Sequence, residues 1–547
     1  MTVYCQGKSI QLTKTMYVAA GGEGEIYRKN DTIYKVYLSP PSANKEQKLK
    51  ELALLTRNNV IAPRDMLYDS NNKLVGYTMK FVDNASSLAL LFTNSFKKRN
   101  NITEKHLEGI FTCMSETIAD IHAKNVLIVD GNELNYLVAN KDWKTVYFID
   151  TDSYQTPNFP ASAIMPSIQD FTRSDFSRDT DWFSFACVSF QFYTGIHPYK
   201  GIHPTIDNMI DRCKQHVSVF NSKVQYPPFV KLNSIPSDLS KWFYQVFEDG
   251  KRLPPPNMVG AIIKPTVTMV AFKSDMLTID DYWDSPDNVL QGVTINGSPL
   301  FITENNYRFV NMNYSKHYDR EFPIIVNNQL VHVSRDDQGI KFFNKVESRV
   351  DIPDVLRIGM VDNGIFVIIE GQLIELVMSE YTKQFQSTQS WSIMSEAMRF
   401  FTGCMHVDMF GKTQVYIPEH DGSVRLMHTV NIVKLDGHKV LDALYENKTF
   451  VAISGKQNKY YRTIVKFDSK MLIVAENQEE IDFQEINATV LANGMLVAVW
   501  GDNMEISAAG SVATKVVTGV HLTMQLAHDG STVLGIEDKK IVTMRLK

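Results

Sequence analysis

The sequence predicts a mixed α+β region followed by an all-β region, with a boundary just after Pro254-Pro255-Pro256. Apolar residues recur at helical spacing in the first half, but helix periodicity nearly disappears from about Tyr282 onward. Short strands then alternate with turn signals such as Asn327-Asn328, spaced roughly 30 to 50 residues apart. Strand repeats of this length are typical of β-propellers. We therefore expect two domains, residues 1–265 and 266–547.

The composition of the chain is that of a globular protein. Of its 547 residues, 44% are hydrophobic and 21% are charged, and the net charge of −5 indicates no basic surface for nucleic acid. Apolar runs stay below the roughly 18 residues that a membrane-spanning helix needs, and the N-terminus lacks a signal pattern. The five cysteines are scattered, which favours free thiols in a reducing compartment. We expect a cytoplasmic protein that binds neither nucleic acid nor membranes.

Two predicted strands in the first half each end at a carboxylate. The apolar run Val126–Val129 precedes Asp130, and the strand Val146–Ile149 precedes Asp150. Asn135 follows the first acid by five residues. Phosphoryl transfer needs one acid to orient a hydroxyl, and an amide and a second acid to hold Mg²⁺. A β-hairpin with polar turn residues is the alternative interpretation of this stretch alone.

A glycine-rich turn and a strand lysine precede these acids in the chain. The turn is made of Gly21, Gly22, Glu23 and Gly24. Glycine lets a backbone approach phosphate oxygens without a clash of Cβ. Lys35 lies within the predicted strand Ile33–Tyr37, where an ammonium group between apolar neighbours needs a partner. A plain hairpin would explain the turn by itself, but the order of turn, lysine, acid, amide and acid is far more specific.

Residues 15–256 carry these groups in the same order as protein kinases, and they resemble the bacterial and viral kinase-like proteins. The resemblance implies a bilobal kinase-like fold with ATP and Mg²⁺ as cofactors. It implies that Asp130 and Lys35 are catalytic and that Asn135 and Asp150 are metal ligands. It also implies that Lys35 and the glycine-rich turn bind the phosphates.

The same resemblance implies a partner for Lys35 and a binding position for adenine. A predicted helix begins at Lys45, and a glutamate of the corresponding kinase helix pairs with the strand lysine. Glu51 is the candidate here and Glu46 the reserve. Backbone groups from Phe81 to Asp83 would contact adenine.

Two further helices are predicted in this half. One has Thr103 as its N-cap and an apolar face made of Leu107, Ile110, Phe111, Met114, Ile118 and Ile121. The segment Thr180–Phe192 is apolar nearly all round and is expected to be buried. By resemblance, its Asp181 braces the catalytic loop. Val129 stands where many kinases have an arginine, and no Ala-Pro-Glu triplet follows Asp150, so the substrate is left open.

The second half predicts a recognition domain. About 280 residues at about 40 per blade suggest seven blades, with six blades or two β-sandwiches as alternatives. No acidic triad or histidine cluster there indicates a second active site. We therefore expect a Mg²⁺-dependent Ser/Thr kinase-like enzyme whose β domain recruits protein targets. A pseudokinase scaffold that binds nucleotide or partners without phosphotransfer, and a small-molecule kinase, are the alternatives.

Overall fold

The structure is a computed structural model of the whole chain, which divides by its internal contacts into two compact units. One unit contains Thr2–Gln11 and Lys29–Phe272, and the other contains Met1, Leu12–Arg28 and Lys273–Lys547. The structure describes residues 1–547 except 22, 43, 162, 228, 229, 231, 257–276, 296, 319, 320, 337, 338, 345, 351, 353, 379–384, 422, 423, 458, 483, 484, 501, 502, 518–523 and 547. The predicted boundary at residues 265 and 266 lies outside the described residues.

The N-terminal part of the chain is mixed α/β. Its strands are β1 (Thr2–Cys5), β2 (Lys8–Gln11), β3 (Tyr17–Ala20), β4 (Gly24–Lys29), β5 (Thr32–Tyr37), β6 (Met66–Tyr68), β7 (Leu74–Lys80), β8 (Ala85–Ser87), β9 (Tyr136–Ala139) and β10 (Val146–Phe148). Its α-helices in the described residues are α1 (Lys45–Leu52), α2 (Asn94–Arg99), α3 (Glu104–Ala123), α4 (Arg178–Thr194), α5 (Met209–Lys214) and α6 (Ser237–Phe247).

Two antiparallel sheets organise the N-terminal unit. Five of its strands are hydrogen-bonded in the order β2-β1-β6-β7-β5, and a second sheet has the order β10-β9-β8. The register of β5 on β7 sets Lys35 opposite Tyr77. Next to this pair, a Cβ on Gly76 would lie 2.0 Å from the carbonyl oxygen of Lys35, so only glycine permits this close approach.

The helices of this unit confirm the predicted faces. All six apolar residues predicted for α3 are buried, and Thr103 caps the helix in a capping box with His106. Helix α4 is buried along almost its whole length, as its composition predicts. Its Phe185 ring lies 4.9 Å from the ring of Phe111 on α3 and 6.1 Å from that of Trp242 on α6. These aromatic contacts form the helical core of the unit.

The C-terminal part is all-β, and its described residues form seven four-stranded antiparallel sheets. The first sheet joins β11 (Leu277–Asp284) to three strands from the end of the chain, which are given below. The next three sheets are β12 (Val289–Ile295), β13 (Ser298–Thr303), β14 (Asn306–Phe309) and β15 (Met312–Ser315); β16 (Phe322–Val326), β17 (Gln329–Asp336), β18 (Gly339–Asn344) and β19 (Val346–Val350); β20 (Arg357–Val361), β21 (Gly364–Ile369), β22 (Gln372–Met378) and β23 (Phe385–Ser392).

Three more sheets follow before the chain completes the first. They are β24 (Met398–Phe401), β25 (Cys404–Met409), β26 (Lys412–Asp421) and β27 (Val424–Asn431); β28 (Lys439–Glu446), β29 (Thr449–Lys456), β30 (Lys459–Phe467) and β31 (Ile473–Ile481); β32 (Asn487–Val490), β33 (Leu496–Trp500), β34 (Asn503–Ser507) and β35 (Thr514–Val517). The first sheet is completed by β36 (Gln525–Asp529), β37 (Thr532–Glu537) and β38 (Lys540–Leu546), with β11 antiparallel to β38.

Residues that readily adopt positive φ angles form the tight turns of these hairpins. Asn327 and Asn328 have φ angles of 50° and 58°, as a tight turn between β16 and β17 requires. The hairpins predicted over residues 365–377 and 495–506 are confirmed as β21–β22 and β33–β34. Local sequence is therefore sufficient to place most of the turns.

Sheets that follow one another along the chain share hydrophobic cores. The β12–β15 and β16–β19 sheets meet at Leu300 and Ile325, and the β16–β19 and β20–β23 sheets meet at Val333 and Val367. Similar cores join the β24–β27 sheet to the β28–β31 sheet, the latter to the β32–β35 sheet, and the first sheet to the β12–β15 sheet. In these cores the face of one sheet packs against the face of the next.

The hairpin β3–β4 belongs by its contacts to the C-terminal unit, which the sequence did not indicate. The buried Tyr17 donates its hydroxyl to Oδ1 of Asp408 at 2.9 Å. The backbone N–H of Ala20 donates to the other oxygen of Asp408 at 3.2 Å. Arg28 forms an ion pair with Glu396 at 3.0 Å. The strand β25 and the segment before β24 therefore hold this hairpin.

Gly403 marks a close contact between two sheets and provides a test of the all-β packing. A Cβ on Gly403 would lie 1.9 Å from the carbonyl oxygen of Tyr445, whereas a Cβ on Gly411 would meet nothing within 4 Å. Both glycines have positive φ, 73° and 79°, so alanine costs about 1 kcal/mol at either site through backbone conformation. We expect Gly403→Ala to lower the free energy of unfolding by about 1–3 kcal/mol more than Gly411→Ala. Urea denaturation of the full chain measures the difference, and equal losses would contradict this packing.

Candidate functional site

Lys35 is the centre of a buried ion-pair cluster in the N-terminal unit. The residue is 6% exposed, and its Nζ donates to Oδ1 of Asp150 and to Oδ1 of Asp152, each at 2.8 Å. Burial lowers the pKa of Lys35, but Tyr77, Asp150 and Asp152 raise it more strongly, so the ammonium group stays charged. The partner that the strand lysine requires is therefore a pair of carboxylates from the segment after β10.

The two carboxylates differ in exposure. The side chain of Asp150 is 45% exposed, whereas that of Asp152 is completely buried. Asp150 has a left-handed backbone, with φ of 57° and ψ of 34°, and begins the 3-10 turn Thr151–Ser153. This turn directs both acids to the same lysine. Asp150 can consequently reach solvent and a ligand while Asp152 cannot.

A chain of hydrogen bonds connects the residue before Asp150 to Asn135 and Asp130. The N–H of Ile149 donates to the carbonyl of Asn135 at 3.0 Å. The side-chain Nδ2 of Asn135 donates to the carbonyl of Asp130 at 2.9 Å. Because its amide nitrogen is engaged, Asn135 keeps its side-chain oxygen as an acceptor. The structure thus places Asp130, Asn135, Asp150 and Lys35 in one connected region, and their catalytic and metal-binding roles stay predictions.

A buried carboxylate on α4 forms hydrogen bonds with the loop that carries Asp130. Asp181 of α4 accepts the N–H groups of Ile128 and Val129, each at 2.8 Å, and contacts Nε2 of His122 at 2.8 Å. Val129 has a φ of 61°, which is unfavourable for a β-branched residue and needs such restraint. The predicted brace is confirmed, and the buried His122 is part of it.

The carboxylate of Asp130 is partly enclosed. Its Oδ1 accepts the N–H of Met165 at 2.8 Å. Burial raises the pKa of Asp130 and the negative charge of Asp150 adds to this, while the bonds from Met165 and Asn132 oppose it; the net shift is upward. A carboxylate with a raised pKa is a better proton acceptor than one in water.

Glu51 does not pair with Lys35. Its Oε1 accepts from Nδ2 of Asn158 at 2.8 Å, and among the described residues its buried Oε2 has no hydrogen-bond partner. The reserve candidate, Glu46, pairs with Lys50 at 2.7 Å. The prediction was wrong because the inward face of α1 carries Lys48, Leu49 and Leu52, and the acids lie on other faces.

The remaining predicted residues lie in loops. Phe81 follows β7, and its N–H donates to the carbonyl of Asp31 at 2.9 Å, while Asp83 is exposed in the segment before β8. In the glycine-rich turn, the N–H of Gly21 donates to the carbonyl of Gly24 at 2.8 Å, and Glu23 is exposed. Gly22 lies outside the described residues. Contact of these residues with adenine or phosphates stays a prediction.

Asp170 is a structural residue of this region that the sequence did not single out. Its oxygens accept from Nε of Arg252 at 2.6 Å and from Nη2 at 2.9 Å, and both side chains are almost fully buried. This bidentate pair joins the segment before α4 to the segment after α6. An acid shortly after Pro166 and an arginine shortly after an aromatic helix were the available signals.

The residues present fit Mg²⁺ and a phosphate ligand. Asn135 and Asp150 offer hard oxygen donors, and Mg²⁺ commonly uses only one or two protein ligands beside phosphate and water. In the described part of the chain, no group of three or more His, Cys, Asp or Glu side chains could hold a metal ion by itself. A nucleotide would therefore have to complete the coordination of the metal.

No protein-family model matches the chain, and no curated protein matches it significantly. Among the described residues, no helix has both the length and the apolar character needed to cross a bilayer.

The brace under the Asp130 loop can be tested by mutation. Asp181→Ala leaves two buried N–H groups without acceptors, each costing about 1–3 kcal/mol, so we expect the free energy of unfolding to fall by at least about 2 kcal/mol. Asp179→Ala removes an exposed acid from the first turn of the same helix and should cost less than about 1 kcal/mol. Thermal and urea unfolding compare the two variants. Similar losses would show that Asp181 does not brace the loop.

Proposed function

We propose that the N-terminal unit is a bilobal kinase-like domain that binds ATP with Mg²⁺ and phosphorylates Ser or Thr hydroxyls of proteins. The contact between Lys35 and Asp150 at 2.8 Å carries this proposal, because it joins residues 115 positions apart on separate elements. Hydrogen bonds also run from the N–H of Ile149, the neighbour of Asp150, to Asn135 and from Asn135 to Asp130. One cation, one enclosed base and two oxygen donors are the groups that phosphoryl transfer requires.

Each residue has a defined task in this proposal. Asp130 orients the acceptor hydroxyl and takes its proton, since its loop is fixed by Asp181. Asn135 and Asp150 present oxygen atoms to Mg²⁺, which when bound neutralises charge on the phosphates. Lys35 balances the remaining negative charge of the phosphates from its buried position.

The segment between Asp150 and α4 is where a polypeptide substrate would bind in this proposal. The buried pair of Asp170 and Arg252 fixes the end of that segment. The residue Val129 beside the base offers no cation to a phosphate on this segment. Activity of the enzyme is therefore expected without phosphorylation of its own loop.

For the C-terminal part, the proposal is a seven-bladed β-propeller that recruits the target. Seven four-stranded sheets support it, as do the pairing of β11 with β38 and the cores shared by successive sheets. Circular closure would remove the exposed edges of so many strands. The fourth strands β15, β19 and β31 expose many side chains, which provides surface for a partner.

We expect the protein to bind ATP only weakly without Mg²⁺ and tightly with it. Lys35→Ala should weaken ATP binding, and Asp150→Ala should remove the dependence on Mg²⁺, because each deletes one charge of the phosphate site. Lys80→Ala changes an exposed strand lysine and serves as the control. Isothermal titration calorimetry with and without Mg²⁺ makes the comparison. Identical binding by the wild type in both conditions would refute the metal assignment.

Asp130→Asn should lower the rate of phosphotransfer by about 10²–10⁴ while ATP affinity is nearly unchanged, since a positioned base is lost. Because burial raises the pKa of Asp130, the wild-type rate should fall with decreasing pH at a higher pH than a free aspartate would cause. Transfer of labelled phosphate to the protein itself or to a protein panel measures the rate. A wild type that binds ATP but transfers nothing would support the scaffold alternative.

A further inference from the structure

Asp152 has the most highly connected side chain of the cluster around Lys35. Its Oδ1 accepts from Nζ of Lys35 and from the hydroxyl of Tyr77, both at 2.8 Å. Its Oδ2 lies 3.2 Å from Nζ of Lys45 and accepts from the hydroxyl of Tyr37 at 3.4 Å. These donors come from β5, β7 and α1, so one carboxylate joins three elements.

Two cations lie beside the buried carboxylate of Asp152. Nζ of Lys35 is 2.8 Å from its Oδ1, and Nζ of Lys45 is 3.2 Å from its Oδ2. A completely buried anion between two cations is expensive to form, and it fixes the geometry of its partners.

Helix α1 also binds the turn that carries Asp152. Nζ of Lys45 lies 3.4 Å from the carbonyl of Asp152, and Nζ of Lys48 lies 3.5 Å from that of Ser153. Thus the helix contributes cations, and the segment after β10 contributes the anion. Glu51 and Glu46, the acids of the helix, bond elsewhere.

We infer that Asp152 is the positioning residue of Lys35 and that α1 acts on the site through its lysines and not through an acid. The inference rests on the proposed nucleotide-binding function. Lys35 has two carboxylate partners, of which only Asp150 is accessible to a metal ion. Asp152 keeps the ammonium group in place when Asp150 turns to another ligand. Helix α1 is linked to Asp152 and its turn by Lys45 and Lys48.

The decisive experiment compares Asp152→Asn with Glu51→Gln in the full chain. Calorimetry with Mg²⁺ and ATP should show a dissociation constant raised at least about tenfold by Asp152→Asn, because a buried charge pair is broken. Glu51→Gln should change it within about twofold, as expected for an acid outside the cluster. The double variant Asp152→Asn/Lys45→Met restores the local charge balance. It should regain thermal stability but not ATP affinity, which separates positioning from folding.

A second readout requires no nucleotide. Reductive methylation with formaldehyde, followed by mass spectrometry of peptides, reports how strongly Nζ of Lys35 is held. Asp152→Asn should increase the modification rate of Lys35 several-fold, because loss of the carboxylate favours the neutral, reactive amine. The Lys35 rate in Glu51→Gln, and the rate at exposed Lys73 in either variant, should equal that of the wild type.

The outcomes distinguish the inference from the function on which it rests. If the wild type binds ATP and Asp152→Asn binds it equally well, or if Glu51→Gln is the more damaging change, the inference is wrong. If the wild type binds no ATP, the proposed function fails. In that case, faster methylation of Lys35 in Asp152→Asn alone still supports Asp152 as its holder, and an unchanged rate refutes it.

Discussion

A buried ammonium group is the constraint on which the N-terminal unit depends. Lys35 lies in the middle of a strand at 6% exposure, where an unpaired charge would be too costly to retain. The segment after β10 must therefore return to the sheet and supply carboxylates. Asp152 pairs with Lys35 as a fully buried carboxylate, whereas Asp150 pairs with it as a carboxylate that is partly exposed to solvent. The position of that segment follows from electrostatics as much as from apolar packing.

Two other buried acids have comparable tasks in the same unit. Asp181 accepts hydrogen bonds from two backbone N–H groups of a strained loop, and Asp170 forms an ion pair with Arg252. In each case, one carboxylate connects elements that are distant in sequence. The helical core of aromatic rings around Phe185 provides the rigid base from which α4 presents Asp181. The half-exposed Asp150 differs from these acids because it is accessible to a ligand.

Much of the fold could be predicted because its signals are local. Helical periodicity located α3 and its cap, and asparagine-rich turns located hairpins such as β16–β17. The order of residues also predicted that Lys35 and Asp150 share a site. By contrast, the contact of Tyr17 with Asp408 joins residues 391 positions apart, and no periodic pattern could indicate it. Register and turn type are short-range properties, but such pairings depend on how whole elements pack.

The error over Glu51 has an instructive physical cause. Leu49 and Leu52 define the inward face of α1, and helical spacing adds Lys45 and Lys48 to that same face. Lysines on an apolar face need an anion opposite them, and this requirement was a usable signal for Asp152. The kinase resemblance predicted an acid on the helix, and so the lysines of α1 were not taken to indicate an acid elsewhere.

The anion of this cluster comes from a third segment and not from the strand or the helix. A strand lysine and a helix can be joined through an acid of that helix, or through an acid elsewhere in the chain that pairs with lysines of both elements. Here the anion follows the strand β10, and the cations are on β5 and α1. Under the proposed function, the lack of a lysine–glutamate pair between β5 and α1 would therefore not exclude a nucleotide site. The proposal requires instead that one buried carboxylate fixes the lysine while a second one is accessible to a metal ion.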